Sequence, residues 1–370
     1  MKEKSVRLMI PGPVQPDNDV LAAMGQPVRP HYGDEWCEDY NLTIDYLKRI
    51  FATTGDAFIM VGSGSCGIDT CLGSAFSTAE KIIVGINGFF GERINGIAES
   101  YGLKTIVVET PWEKPIDPEA IQNALDQNPD AVGVAVVHLE TSTAIVNPIK
   151  EIGEIAHKNN VSFFVDAVSS LGGLPFKMDD WKIDFCASSS QKCLGAPPGL
   201  SPVAVGEKSW EVINRNPNKN HGWYSNLITW RQYSIEWRDW HPFPITMATS
   251  NVMALQKSLK SLLEEGVEKR FERYQKLARR LREGLESLGF NLYTLDEYMA
   301  PVLTAVFCPE GVEANNVVNY LLRYHNIKIA GGLGQLKNQI IRIGHMSPAT
   351  TIVDIDDVLN ALSDSLVQQR

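Results

Sequence analysis

AVGVAVVHLETSTAIVNPIKEIGEIAHKNNVSFFVDAVSS, residues 131–170, contains two apolar runs, 131–137 and 162–168, joined by a segment with apolar residues at helical spacing. Neither run alternates apolar with polar. Strands of that kind are buried on both faces, which happens where parallel strands are linked by helices. Here the segment 148–160 is the linking helix. Five further runs flank this unit: 57–61, 81–86, 104–109, 184–189 and 201–205. The alternation over 57–207 predicts an α/β fold with a mainly parallel central sheet between helices. Ligands of such sheets gather at the carboxyl ends of the strands.

The rest of the sequence limits what those ends can serve. With 370 residues, the chain is long enough for two packed units. A net charge of -10 argues against nucleic acid or an anionic membrane as partner. No apolar run reaches membrane-spanning length, and the N-terminal MKEKSVRLMIPGP lacks a signal-peptide core, so a cytoplasmic protein is expected. The six cysteines (Cys37, Cys66, Cys71, Cys186, Cys193, Cys308) form no C-x-x-C pair and read as reduced, buried thiols. His138, His241 and His345 stand on separate segments, so no metal site is expected.

Beyond residue 208 the texture changes. Four of the eight tryptophans crowd into 220–244, which reads as core and dimer packing or as a pocket wall. One long charged amphipathic helix is expected over 250–288, stopped by Gly289. The pattern of 290–370 is strand, strand, helix, strand, helix, a smaller α+β domain. The expected division is a large domain over 21–264 and a small one over 265–370.

The strand ends carry the chemistry. VGSGSCGID (61–69) places Gly62, Gly64 and Gly67 in G-x-G-x-x-G after a strand, the dinucleotide fingerprint. The next strand should then close with an acid for the ribose, but it ends in Asn87-Gly88. What survives is a turn whose amides, with Ser63 and Ser65, suit a single phosphate at a helix N-terminus. NGFFGER (87–93) offers two aromatics, Phe89 for the core and Phe90 for a planar ligand. HLETST (138–143) reads as a capping cluster for the following helix. Asp166 closes a wholly apolar strand, where an ionised carboxylate without a cationic partner is costly. Lys192 lies 26 residues later in SSSQKCLGAPPGLS (188–201), a stiff turn of small residues. A lysine, a buried acid, a phosphate-sized turn and an aromatic face together suit pyridoxal 5'-phosphate.

DAVSSLGG (166–173), SSSQKCLGAPPGLS (188–201) and IRIGHMS (341–347) resemble class V aminotransferases of fold type I, and the likeness runs from PGPV (11–14) to the C-terminal domain. The alanine/serine–glyoxylate aminotransferases are the most similar group. The resemblance implies a homodimer with shared active sites, to which the N-terminal segment 1–20 contributes. It implies that Lys192 forms the Schiff base with the cofactor and carries the proton, and that Asp166 pairs with the pyridinium nitrogen. Val168 and Phe90 would flank the ring, and Ser63, Gly64, Ser65 and Gln191 would hold the phosphate. Thr141 would lie near the phenolic oxygen, and Thr246 would complete the phosphate site from the partner. Arg342 and Gly12 would bind the substrate.

The implied reaction is ping-pong transamination from alanine or serine to glyoxylate or pyruvate. Phe243 stands where relatives commonly carry a tyrosine on the partner-subunit loop, a lost hydroxyl expected to weaken phosphate binding by about 1 kcal/mol. Ser65 stands where some relatives have histidine. KCLGAPPGL and PIDPE (115–119) are also similar to pyridoxamine–pyruvate aminotransferases, which act on free pyridoxamine without a covalently bound phosphate cofactor; the intact SGS turn favours the ordinary enzyme. A desulfurase would need a mobile cysteine. Cys308, at the end of an apolar run, reads as a core thiol, and Gln191 stands where desulfurases usually carry histidine.

Overall fold

The computed structural model describes residues 6–215 and 222–369. Residues 1–5, 216–221 and 370 lie outside the described residues; they include the start of the N-terminal segment and of the tryptophan-rich stretch. The chain begins with β1 (Arg7–Leu8), α1 (Asn18–Met24) and α2 (Asp34–Phe51). Strand and helix then alternate through β2 (Asp56–Val61), α3 (Gly64–Ala75), β3 (Lys81–Ile86), α4 (Phe89–Ser100), β4 (Lys104–Glu109) and α5 (Pro118–Gln127). Next come β5 (Ala131–Val137), a short pair β6 (Leu139–Glu140) and β7 (Ile145–Val146), and α6 (Ile149–Lys158). The series closes with β8 (Ser162–Asp166), β9 (Phe185–Ala187) and β10 (Leu200–Val205).

All seven expected runs are strands of one sheet, in the order β2-β10-β9-β8-β5-β3-β4. Only β10 runs antiparallel to its neighbours. β8 stops at Asp166, before the end of its apolar run, because the Asp166 carboxylate accepts from Val168 N at 2.8 Å and turns the chain. The register pairs Val137 with Asp166 and Asp166 with Ala187. Three neighbouring strands therefore end level, which brings residues far apart in sequence to one edge.

The second half holds α7 (Ser209–Arg215), α8 (Leu227–Glu236), α9 (Thr249–Glu265) and α10 (Val267–Ser287). After these come β11 (Asn291–Leu292), β12 (Leu303–Phe307), α11 (Ala314–His325), β13 (Ile327–Lys328), β14 (Ala330–Gly331), β15 (Ile340–Gly344) and α12 (Ile352–Gln369). β11, β12, β15 and β14 form an antiparallel sheet, while β13 pairs with β1. Three strands, β13, β14 and β15, thus lie between α11 and α12 where a single strand was expected.

The single helix expected over 250–288 is two helices. Gly266 sits at φ 88°, ψ 133°, outside the helical region, and breaks the run. Glu265 fastens the new start by accepting from Arg270 Nε at 2.7 Å and Arg273 Nε at 2.8 Å. One apolar cluster surrounds the large sheet and ends at Leu262; the other runs from Tyr274 to Leu366 and takes in Met9, Val14, Trp112 and Leu139. This parting supports the proposed domain boundary near 265.

Of the four tryptophans in 220–244, only Trp230 is in the core; Trp223, Trp237 and Trp240 are 54%, 44% and 50% exposed. Phe243 corrects a second expectation. It is fully buried in its own chain, with ring centroids 4.8 Å from Tyr40 and 4.5 Å from His241. A hydroxyl there would face the core, so the expected phosphate penalty does not follow. Cys308 is half-buried at the rim of the second cluster rather than in its core. No described helix is long and apolar enough to cross a membrane.

Candidate active site

At the level edge of the sheet, the turn after β9 holds Lys192. Its carbonyl accepts from Gly195 N at 2.8 Å, Ser190 O accepts from Ala196 N at 2.9 Å, and Ser190 Oγ donates to Pro197 O at 2.6 Å. Gly195 is at φ 74°, and a Cβ there would come 2.4 Å from Pro348 Cγ, so the turn requires glycine. The half-buried Lys192 donates its Nζ to Pro11 O. Desolvation lowers its pKa to about 8, helped by the cations Arg342 and Arg93 and opposed by Cys193 and Asp166. A neutral amine is therefore available near physiological pH. Gly12, at φ 92°, lies against its stem: a Cβ there would be 2.4 Å from Lys192 Cδ. Val14 N donates to Gln191 O at 3.0 Å, so the N-terminal segment lines this turn.

Asp166 is buried, and desolvation pushes its pKa up to about 7; the Val168 amide, Lys192 and Arg93 oppose the rise, and Glu140 adds to it. Among the described residues no donor reaches its second oxygen Oδ2. That orphaned carboxylate oxygen fits the protonated ring nitrogen of pyridoxal 5'-phosphate.

α3 begins at Ser63, whose side chain makes no cap bond. The Ser63 and Ser65 hydroxyls have no partner among the described residues, so this N-terminus is open to an anion. A Cβ on the buried Gly64 would lie 2.6 Å from Val168 Cγ2, which sets this turn directly on the end of β8. Phe90, half-buried at the start of α4, has the exposed Arg93 guanidinium 4.7 Å from its ring centre. Phe89, expected in the core, is half-buried and packs against the rim of the second apolar cluster.

Thr141 is buried, and its Oγ1 donates to Ser169 Oγ at 2.6 Å. Its carbonyl accepts from Arg342 Nη1 at 2.7 Å, while Arg342 Nε donates to Gly331 O at 2.9 Å. Two backbone carbonyls thus orient the guanidinium and leave Nη2 unspent. Burial lowers the Arg342 pKa to about 10, and Glu140 works against that. Thr246 is exposed two residues ahead of the Ala248 cap of α9 and makes no hydrogen bond to this group among the described residues.

HLETST is not the cap of the following helix. α6 starts at Pro148 with no side-chain cap, whereas Glu140 and Ser142 cap α4, some fifty positions earlier. Glu140, Arg93 and Pro11 are site residues that sequence reasoning missed. The one available signal for Glu140 was a carboxylate at a strand end, the same signal that found Asp166. His138 and His345 are buried, with pKa values held down to about 3 by desolvation. No group of metal-binding side chains occurs among the described residues.

This site lies in a chain whose residues 31–358 match the family model for Aminotransferase class-V. The protein belongs to the class V aminotransferases. It is similar to the ureidoglycine–glyoxylate aminotransferase of Bacillus subtilis (TM-score 0.95, 32% identity, 100% of this chain and 95% of the other). It resembles an alanine–glyoxylate aminotransferase of a Nostoc species as closely in shape (TM-score 0.94, 30% identity, 99% and 96% covered). The pyridoxamine–pyruvate aminotransferase of Mesorhizobium loti also superimposes (TM-score 0.93, 26% identity, 100% and 94% covered). The family is generally dependent on pyridoxal 5'-phosphate.

Proposed function

We propose that this aminotransferase uses pyridoxal 5'-phosphate to move an amino group from a small amino acid, alanine or serine, to a small 2-oxo acid, glyoxylate or pyruvate. The observation that carries the reading is Lys192, an amine with a pKa near 8 beside a buried carboxyl whose second oxygen lacks a donor. When bound, the cofactor supplies an aldehyde carbon for amine exchange and a ring that accepts electrons from the substrate's α-carbon. In this reading Asp166 keeps a proton at the ring nitrogen. Ser63, Gly64, Ser65 and Gln191 hold the phosphate, Phe90 and Val168 lie on the two ring faces, and Thr141 approaches the phenolic oxygen side.

Arg342, pre-oriented by Gly331 O and Thr141 O, grips the substrate carboxylate, with Gly12 alongside. Lys192, displaced by the incoming amine, would take the α-proton and return it to the former aldehyde carbon, two atoms away across the shared nitrogen. The two half-reactions then give ping-pong kinetics. A homodimer, with Thr246 of the partner subunit completing each phosphate site, belongs to the same proposal.

The test is a visible absorbance spectrum of the purified protein with pyridoxal 5'-phosphate, followed by a grid of amino donors and oxo acceptors that includes pyridoxamine. A cofactor band lost in Lys192→Ala, with exchange from alanine or serine, supports the reading. A wild type that takes up no cofactor overturns it. Exchange from pyridoxamine alone would assign the alternative, a pyridoxamine–pyruvate aminotransferase.

A further inference from the structure

Glu140 is fully buried, and both of its carboxylate oxygens are spent. Oε2 accepts from the amides of Phe90 and Gly91 at 3.0 Å each. Oε1 accepts from Ser142 N at 2.9 Å and Ser142 Oγ at 2.5 Å. Ser142 Oγ in turn accepts from Phe89 N at 3.0 Å, so the first three amides of α4 are all engaged. The approach is close enough to require glycine at 88, where a Cβ would lie 2.3 Å from Glu140 Cγ. One carboxylate therefore ties together two pieces of chain: the first turn of α4, which carries Phe90, and the turn whose Thr141 carbonyl holds Arg342.

We propose that Glu140 is a positioning residue for the transamination: its single carboxylate fixes the aromatic face of Phe90 and the guanidinium of Arg342 in register with each other. This rests on the function proposed above. A neutral cap would satisfy helix α4 equally well in outline, but it would not do the same work. Glutamine has one acceptor oxygen, and its NH2 would face either two backbone amides or the amide and hydroxyl of Ser142, so at least one of the four bonds is lost and one amide is left against an N–H. The buried negative charge also sits near enough to Arg342 to favour its charged form, and near enough to Asp166 to favour that residue's neutral form.

Glu140→Gln should raise the KM for the 2-oxo acid about tenfold and lower kcat less than about threefold, because the carboxylate clamp is displaced while Lys192 is not. The visible circular dichroism of bound pyridoxal 5'-phosphate, which reports how the ring is held, should fall. Ser142→Ala keeps the charge and removes one partner, so its KM should rise about threefold; it carries the test if Glu140→Gln fails to fold. A lowered melting temperature with KM or circular dichroism unchanged in both variants overturns the proposal and leaves Glu140 a simple helix cap. A wild type without a cofactor band overturns the function itself, and that is seen before any variant is made.

Discussion

Two helix N-termini stand side by side at the carboxyl edge of the sheet, α3 after β2 and α4 after β3, and the chain treats them oppositely. At α4 the first three amides are engaged by Glu140 and Ser142, side chains brought from the far end of β5. At α3 the cap residue Ser63 offers no side-chain bond, and the neighbouring hydroxyls have no partner among the described residues. Equal dipoles are met once by an internal anion and once by nothing among the described residues, so local helix chemistry does not decide which terminus is left open. What decides is whether the fold delivers a carboxylate to it.

Ser63→Asp gives α3 the internal anion that α4 has. Affinity for pyridoxal 5'-phosphate should fall about a hundredfold, since a fixed charge repels the phosphate, while the cofactor-free chain gains about 0.5–1 kcal/mol from the new cap. Equilibrium titration and thermal melts measure the two, and their opposite signs are the signature. Gly64→Ala disturbs the open terminus without charging it. A methyl group 2.6 Å from Val168 Cγ2 should cost about tenfold in cofactor affinity; adding Val168→Ala relieves the clash but gives up its ring contact, so the double variant regains only part of the loss.

A third change concerns the buried carboxylate of Asp166 at the same edge of the sheet. Asp166 has a folded pKa near 7 against about 4 when unfolded, so its ionised form is disfavoured in the fold. Stability from this group is full below pH 4 and is lost as the pH rises through 7. Asp166→Asn removes that loss. The cofactor-free variant should melt several degrees above the wild type at pH 8, by up to about 4 kcal/mol, with the advantage vanishing at pH 4. Activity should disappear at both.

The sheet was legible because its signal is local: seven short, continuous apolar runs became seven strands. Lys192, Asp166 and the serines at 63 and 65 were legible for a related reason, since each ends a run and the edge of a parallel sheet is a known address. Glu140 carried the same mark but was given to the wrong helix, because its partners at 90 and 91 are set by the β5–β3 pairing and not by the neighbouring sequence. Of the four tryptophans in the aromatic stretch 220–244, only Trp230 joins the core of the chain; composition says how many large side chains there are, not which face they occupy. Gly266 was passed over inside a strong amphipathic pattern, where one residue at positive φ outweighs the periodicity on either side.

The segment before α1 sets a timetable for making the protein. Arg7 and Met9 donate to Asn326 and Lys328, Met9 accepts from Gly344, and Gln15 accepts from Ser347. Residues of this segment therefore wait for partners that leave the ribosome much later. The Lys192 turn, which rests on Pro11, Gly12 and Val14, is complete only when nearly the whole chain has emerged. A nascent chain stalled before residue 326 would carry the large sheet, the lysine and the acid, yet have no finished place for either.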